Sequence, residues 1–105
     1  MKLAIILISL MLSSQAMAED LTMRLGNLSY FDGFKTSKQV VSIKNNTATT
    51  IPYVDVECGF LSGDRLVAAG HFAATKLVPG STAYITVPSS EAIPEPDRAD
   101  CRIVR

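Results

Sequence analysis

The run Pro52-Tyr53-Val54-Asp55-Val56-Glu57-Cys58-Gly59-Phe60 decides the fold of this chain. Val54, Val56, Cys58 and Phe60 share one side of a two-residue period, and Tyr53, Asp55 and Glu57 share the other, which is the pattern of a half-buried β-strand. The charged side belongs in water, so Cys58 belongs inside. Ser62-Gly63-Asp64 follows, a short glycine-containing connection of the kind that closes a β-hairpin. Arg65 to Ala74 is then the returning strand. Its alanines favour helix by propensity, but Gly70 and the preceding turn favour strand.

Upstream, Val41 and Ile43 share a face while Ser42 and Lys44 take the other, and Met23, Leu25 and Leu28 outline a first strand. Downstream, Pro79-Gly80 suits the central positions of a type II turn, proline fixing the first φ and glycine accepting a positive second one. Ala83, Ile85 and Val87 then line one face of a further strand, and Cys101 and Ile103 one face of the last, opposite Arg102 and Val104. Loops are expected over Ser29 to Ser37 and over Pro88 to Arg98, where Pro94 and Pro96 hold the chain extended. Six to seven short strands with both cysteines facing inward predict an all-β, immunoglobulin-like sandwich of two sheets.

At the start of the chain, Lys2 precedes the apolar run Leu3 to Leu12, a polar stretch and then Ala16-Met17-Ala18. These are the three parts of a cleavable secretory signal, with the cut expected after Ala18. The run is too short for a membrane span, which takes about 20 residues, so no stable anchor is expected after cleavage. Removing residues 1–18 from the 105 leaves 87, one domain over residues 19–105. A domain of that size has a thin core and gains from a covalent brace. In an oxidising compartment, periplasmic or secreted from a bacterium, the two cysteines Cys58 and Cys101 are expected to form it. The bond would either staple the two sheets together or pin the last strand to a neighbour.

The stretch from Val40 to Val87 resembles the FxLYD family of immunoglobulin-like β-sandwich domains in exported bacterial proteins. The resemblance rests on Val41-Ser42-Ile43-Lys44-Asn45-Asn46-Thr47, on Val54-Asp55-Val56 leading to Phe60 and the Gly63-Asp64 turn, and on Leu77-Val78-Pro79-Gly80-Ser81-Thr82. It departs from the family in reading Cys58-Gly59-Phe60-Leu61-Ser62-Gly63 where a Tyr-Asp pair is usual. The resemblance implies the sandwich and an extracytoplasmic setting, and it implies no catalytic residue.

Ten basic and ten acidic side chains balance over the chain, and no cluster supplies the basic face of a nucleic-acid binder. Two cysteines and one histidine are too few for a structural zinc site, and the cysteines are too distant for a redox Cys-x-x-Cys pair. No metal or cofactor is expected. His71, the only histidine, falls on the solvated face with Val67 and Ala69 and lacks a nucleophile with an orienting acid. Asp55 and Glu57 share a strand face, whereas a hydrolytic carboxylate pair needs a cleft. Glu91, Glu95 and Asp97 lack the regular acidic spacing of a calcium loop. Asn27-Leu28-Ser29 and Asn45-Asn46-Thr47 fit the glycosylation sequon, but Asn45 and Asn46 have a simpler use as turn residues that tolerate positive φ.

The strongest candidate for a binding surface is the loop carrying Tyr30, Phe31 and Phe34 around Asp32-Gly33. The plainer alternative is that Tyr30 and Phe31 continue the first strand and Phe34 caps the core. With three tyrosines, four phenylalanines and no tryptophan, the core needs most of its aromatics, which favours the plainer reading. The functional expectation is a non-enzymatic module that binds another envelope or secreted protein through an edge strand or a loop. The alternative is a small inhibitor or regulator of an extracellular enzyme, presenting the Pro88 to Arg98 loop.

Overall fold

A computed structural model describes residues 20–104; the secretory segment expected over residues 1–18 lies outside them. The described residues form six strands, β1 (Leu21–Phe31), β2 (Thr36–Asn45), β3 (Ile51–Ser62), β4 (Arg65–Leu77), β5 (Thr82–Pro88) and β6 (Arg98–Val104). They make two three-stranded antiparallel sheets, β1-β2-β5 and β4-β3-β6, packed as a small sandwich. The Ala-rich segment is strand β4, as its glycine and hairpin turn indicate.

The core comes from the faces that alternation selects. Val41 and Ile43 of β2, Val54, Val56 and Phe60 of β3 and Val87 of β5 are fully buried. Each such side chain contributes about 1.5–3 kcal/mol relative to an exposed one. Both expected turns form. Gly63 has φ +60 with Ser62 paired to Arg65, as a type II′ hairpin requires of its first central residue. Gly80 has φ +76, and the Ser81 N–H donates to the Val78 carbonyl at 3.1 Å.

The disulfide joins Cys58 to Cys101, directly opposite each other on β3 and β6, with Cα atoms 4.0 Å apart. It therefore pins the last strand to its neighbour within one sheet and does not cross the sandwich. Cys58 is buried on the central strand, whereas Cys101 is half-buried because β6 lies at the sheet edge. Closing a loop with a sequence separation of 43 constrains the unfolded chain. In the chain-entropy model the effect on stability is about 4 kcal/mol.

Four local expectations change. The loop expected over Ser29 to Ser37 narrows to a turn at residues 32–35, because Ser29, Tyr30 and Phe31 pair with Lys38, Ser37 and Thr36. The three-residue step from Leu25 to Leu28 spans a bulge, which returns Leu28 to the inward face beside Gln39. Val67 packs partly against the core instead of sharing the solvated face with His71, because the register of β3 with β4 shifts between Phe60 and Leu61. Asn45 and Asn46 do not adopt positive φ; among the described non-glycine residues Lys35 (φ 56) and Lys76 (φ 53) do.

The buried face of β2 continues into polar residues, Ser37 and Gln39 at one end and Asn45 at the other. The Gln39 amide donates to the Gly26 carbonyl at 3.0 Å, at the bulge, and to the Val40 carbonyl at 2.8 Å. Asn45 donates to the carbonyls of Leu77 at 2.8 Å and Thr49 at 2.9 Å. Its Oδ1 accepts from the Thr47 N–H at 2.9 Å and the Thr47 hydroxyl at 2.6 Å. One side chain thus ties the end of β2 to the end of β4 and to the β2–β3 loop. The two sheets also meet where β4 passes the end of β5. A Cβ on Gly70 would run into the Pro88 carbonyl, so only glycine admits this approach.

Candidate functional site

Three places carry the residues singled out from sequence: the tip of the β1–β2 hairpin, the segment between β5 and β6, and the outer face of the β4-β3-β6 sheet.

At the hairpin tip, Tyr30 and Phe31 do continue the first strand, but Phe34 does not cap the core: it is 74% exposed, and Phe31 is 56% exposed. The turn sequence explains how. A Cβ on Gly33 would lie 2.9 Å from the Phe31 ring, so the glycine lets that ring fold over the turn. The Phe34 ring then meets it edge-on, with centroids 5.1 Å apart and planes at 61°. Lys35 closes the turn in the left-handed region, and its Nζ donates to Asp32 Oδ1 at 2.8 Å. That hydrogen bond, and then the charge of the same carboxylate, raise the pKa of the Lys35 amine above its ordinary value. The pair is solvent-exposed, so it orders the turn more than it stabilises the fold.

Tyr30 has a different role. Half-buried, it donates its hydroxyl to the Ala92 carbonyl at 3.0 Å, while the Ala92 N–H donates to the Lys35 carbonyl at 2.7 Å. The segment between β5 and β6 is thereby strapped across this end of the sandwich. Ser89 N–H donates to the Ser37 carbonyl at 2.9 Å, Ser90 N–H to the Ala69 carbonyl at 3.0 Å, and Asp97 N–H to the Leu61 carbonyl at 2.8 Å. Asp97 Oδ2 accepts from the Gly63 N–H at 2.9 Å, which assigns one of the late acids to fastening a hairpin. Between the buried Ala92 and Pro96 the strap presents Ile93, 62% exposed and adjoining the aromatic tip through the Ala92–Lys35 bond. Glu91 and Glu95 are exposed along it.

On the outer sheet face, His71 stands across from Glu57, with Nδ1 3.6 Å from Asp55 Oδ1. Glu57 Oε1 accepts from Arg102 Nε at 3.1 Å and Nη2 at 2.9 Å. The two carboxylates therefore face separate cationic or ionisable partners and do not share a proton across a cleft. Gly59 and Ala69 leave an open depression of roughly 520 Å³ beside them, bounded by Leu66, His71 and Arg102. Among the described residues no group of three or more His, Cys, Asp or Glu side chains could hold a metal ion.

The polar inward residues Ser37, Gln39 and Asn45 were missed in sequence, although they keep the same two-residue phase as Val41 and Ile43. Continuing that phase past the apolar pair is the signal that finds them. The strap's hydrogen bonds, such as Ser90 to Ala69, join residues far apart along the chain and leave no local mark. What the site offers is an exposed apolar tip on a rigid, hydrogen-bonded base. Against protein-family models, curated proteins and solved structures, the chain has no match.

Proposed function

We propose that the chain is a non-enzymatic, exported, immunoglobulin-like β-sandwich of the FxLYD type. It works in the periplasm or outside a bacterial cell, binding another envelope or secreted protein through the tip of its β1–β2 hairpin. The observation that carries this reading is the Phe31–Phe34 pair, two large apolar rings held in water on a tip fastened to the strap. Exposed aromatics on a preorganised base are the groups that dominate protein interfaces, because little side-chain freedom is lost when they dock. The disulfide is consistent with an oxidising compartment. His71, on an open sheet face beside Asp55, fits a surface role better than a catalytic one.

The test is Phe31→Ser with Phe34→Ser. The double variant keeps the wild-type denaturation midpoint to within about 0.5 kcal/mol, as surface substitutions do. It no longer captures from periplasmic extract the protein that the wild type retains. A large fall in melting temperature would instead assign both rings to the core.

A second reading, a small inhibitor of an extracellular enzyme, draws on Ile93, exposed on a strap anchored on both sides. Capture of an active enzyme whose turnover falls on binding, with the effect lost in Ile93→Ser, selects it.

A further inference from the structure

We propose that two copies of the chain pair antiparallel along β6, about a two-fold axis at Cys101. The surface is on the other sheet from the aromatic tip, and the inference does not depend on the tip's role.

β6 is an edge strand, hydrogen-bonded to β3 alone. The 4.0 Å between the Cα atoms of Cys58 and Cys101 is the spacing of a close antiparallel pair that does not exchange main-chain hydrogen bonds. The N–H and C=O groups of Cys101, and by alternation those of Ala99 and Ile103, therefore point away from β3 to the free edge. Among the described residues no loop hydrogen bond reaches them. Such an edge is a template for another strand.

The occupant follows from charge. β6 reads Arg98-Ala99-Asp100-Cys101-Arg102-Ile103-Val104, and Cys101 is its middle residue. A two-fold axis there matches the strand along its whole length. Cys101 exchanges main-chain hydrogen bonds with Cys101 of the second copy, and Ala99 with Ile103. Asp100 lies opposite Arg102 of the second copy, and Arg102 opposite its Asp100. These are closely spaced positions, where cross-strand side chains interact most strongly. Moving the axis by one residue sets Asp100 against Asp100, or Arg102 against Arg102. The self-complementary register is thus the fully overlapped one. Each side chain already has a partner within the copy, Arg98 at 3.0 Å from Asp100 and Glu57 at 2.9 Å from Arg102. Pairing joins these into one alternating row along the outer face of a six-stranded sheet. β1, the edge strand of the other sheet, offers no such match: its bulge breaks the ladder, and Arg24 is its one charged side chain.

The experiment is sedimentation analysis of the oxidised protein, carried to high concentration because a single-edge interface is small. A reversible monomer–dimer equilibrium that weakens with salt is expected. Asp100→Arg and Arg102→Asp each set like charges opposite at two symmetry-related places. Each alone is expected to raise the dimer dissociation constant roughly tenfold. An equal mixture of the two variants restores association as a heterodimer, because one chain now carries two arginines at these places and the other two aspartates. Circular dichroism of each variant confirms that it is folded. A strictly monomeric wild type overturns the proposal. So does a dimer indifferent to both substitutions, which would place the contact on β1 or the aromatic tip, or a mixture that fails to recover association.

Discussion

The two ends of the sandwich break the same rule in opposite directions. At one end a polar side chain, Asn45, is fully buried; at the other, beyond the buried Ser37 and Gln39, two phenylalanines stand in water. Asn45 is tolerated because its amide and carbonyl both meet partners, on the end of β4 and in the β2–β3 loop, and a buried polar group that is fully satisfied fixes one arrangement of the backbone around it. Phe31 and Phe34 are tolerated because the main chain beneath them is held by the strap, so their exposure costs little order. A buried polar side chain with its partners met, as at Asn45, marks a fastening, and an apolar residue outside a saturated backbone marks a place to be covered.

Reducing the Cys58–Cys101 bond tests this contrast most severely. Stability should fall by about 4 kcal/mol, and the ends should loosen unequally. The strap's far anchor, Asp97 to Leu61, adjoins the start of β6, so its amide should exchange before those around Asn45. Exchange rising first around Asn45 would reverse the assignment of which end depends on β6. Asn45→Ala comes next, with an expected loss of about 3 kcal/mol, since it leaves the Leu77 and Thr49 carbonyls and the Thr47 N–H without this partner. Urea denaturation with an unchanged slope would register it; a loss below about 1 kcal/mol would show that water replaces the side chain there. The smallest effect has the opposite sign. Lys35→Gly at the aromatic turn should stabilise by about 1 kcal/mol, because glycine occupies the left-handed region without steric cost. A destabilised variant would mean that the lost Asp32 contact outweighs the relieved strain.

Much of this architecture was legible. Alternation picked out the inward faces of β3 and β5 and the apolar centre of β2, and the turn residues Gly63 and Pro79-Gly80 lie where their φ preferences require. The cysteine pair was legible too, while its direction was not. Whether Cys101 reaches across the core or sideways depends on which sheet the last strand joins, and that is a long-range choice. The tip was misjudged for a related reason. Counting seven aromatics against a small core favours burying Phe34, whereas the aliphatic residues of β2, β3 and β5 with Phe60 already fill the interior. The strap was legible as an irregular segment and not as a fastening, because its bonds reach Ser37, Ala69, Lys35 and Leu61 on four different strands or turns.

The burial of Asn45 has one more consequence, for how the chain would behave in a foreign host. Its amide nitrogen is the atom that an oligosaccharyltransferase would join to a sugar in Asn45-Asn46-Thr47, and in the folded domain it is enclosed and engaged with two carbonyls. Asn27, in the other acceptor sequence, is exposed. In a eukaryotic secretory pathway a sugar at Asn27 would say only that the site met the enzyme. A sugar at Asn45 would have to be attached before β2 and β4 closed, and it would then stop them from closing. The ratio of the two modified forms would be a stopwatch on folding, read by mass from the secreted and the retained protein.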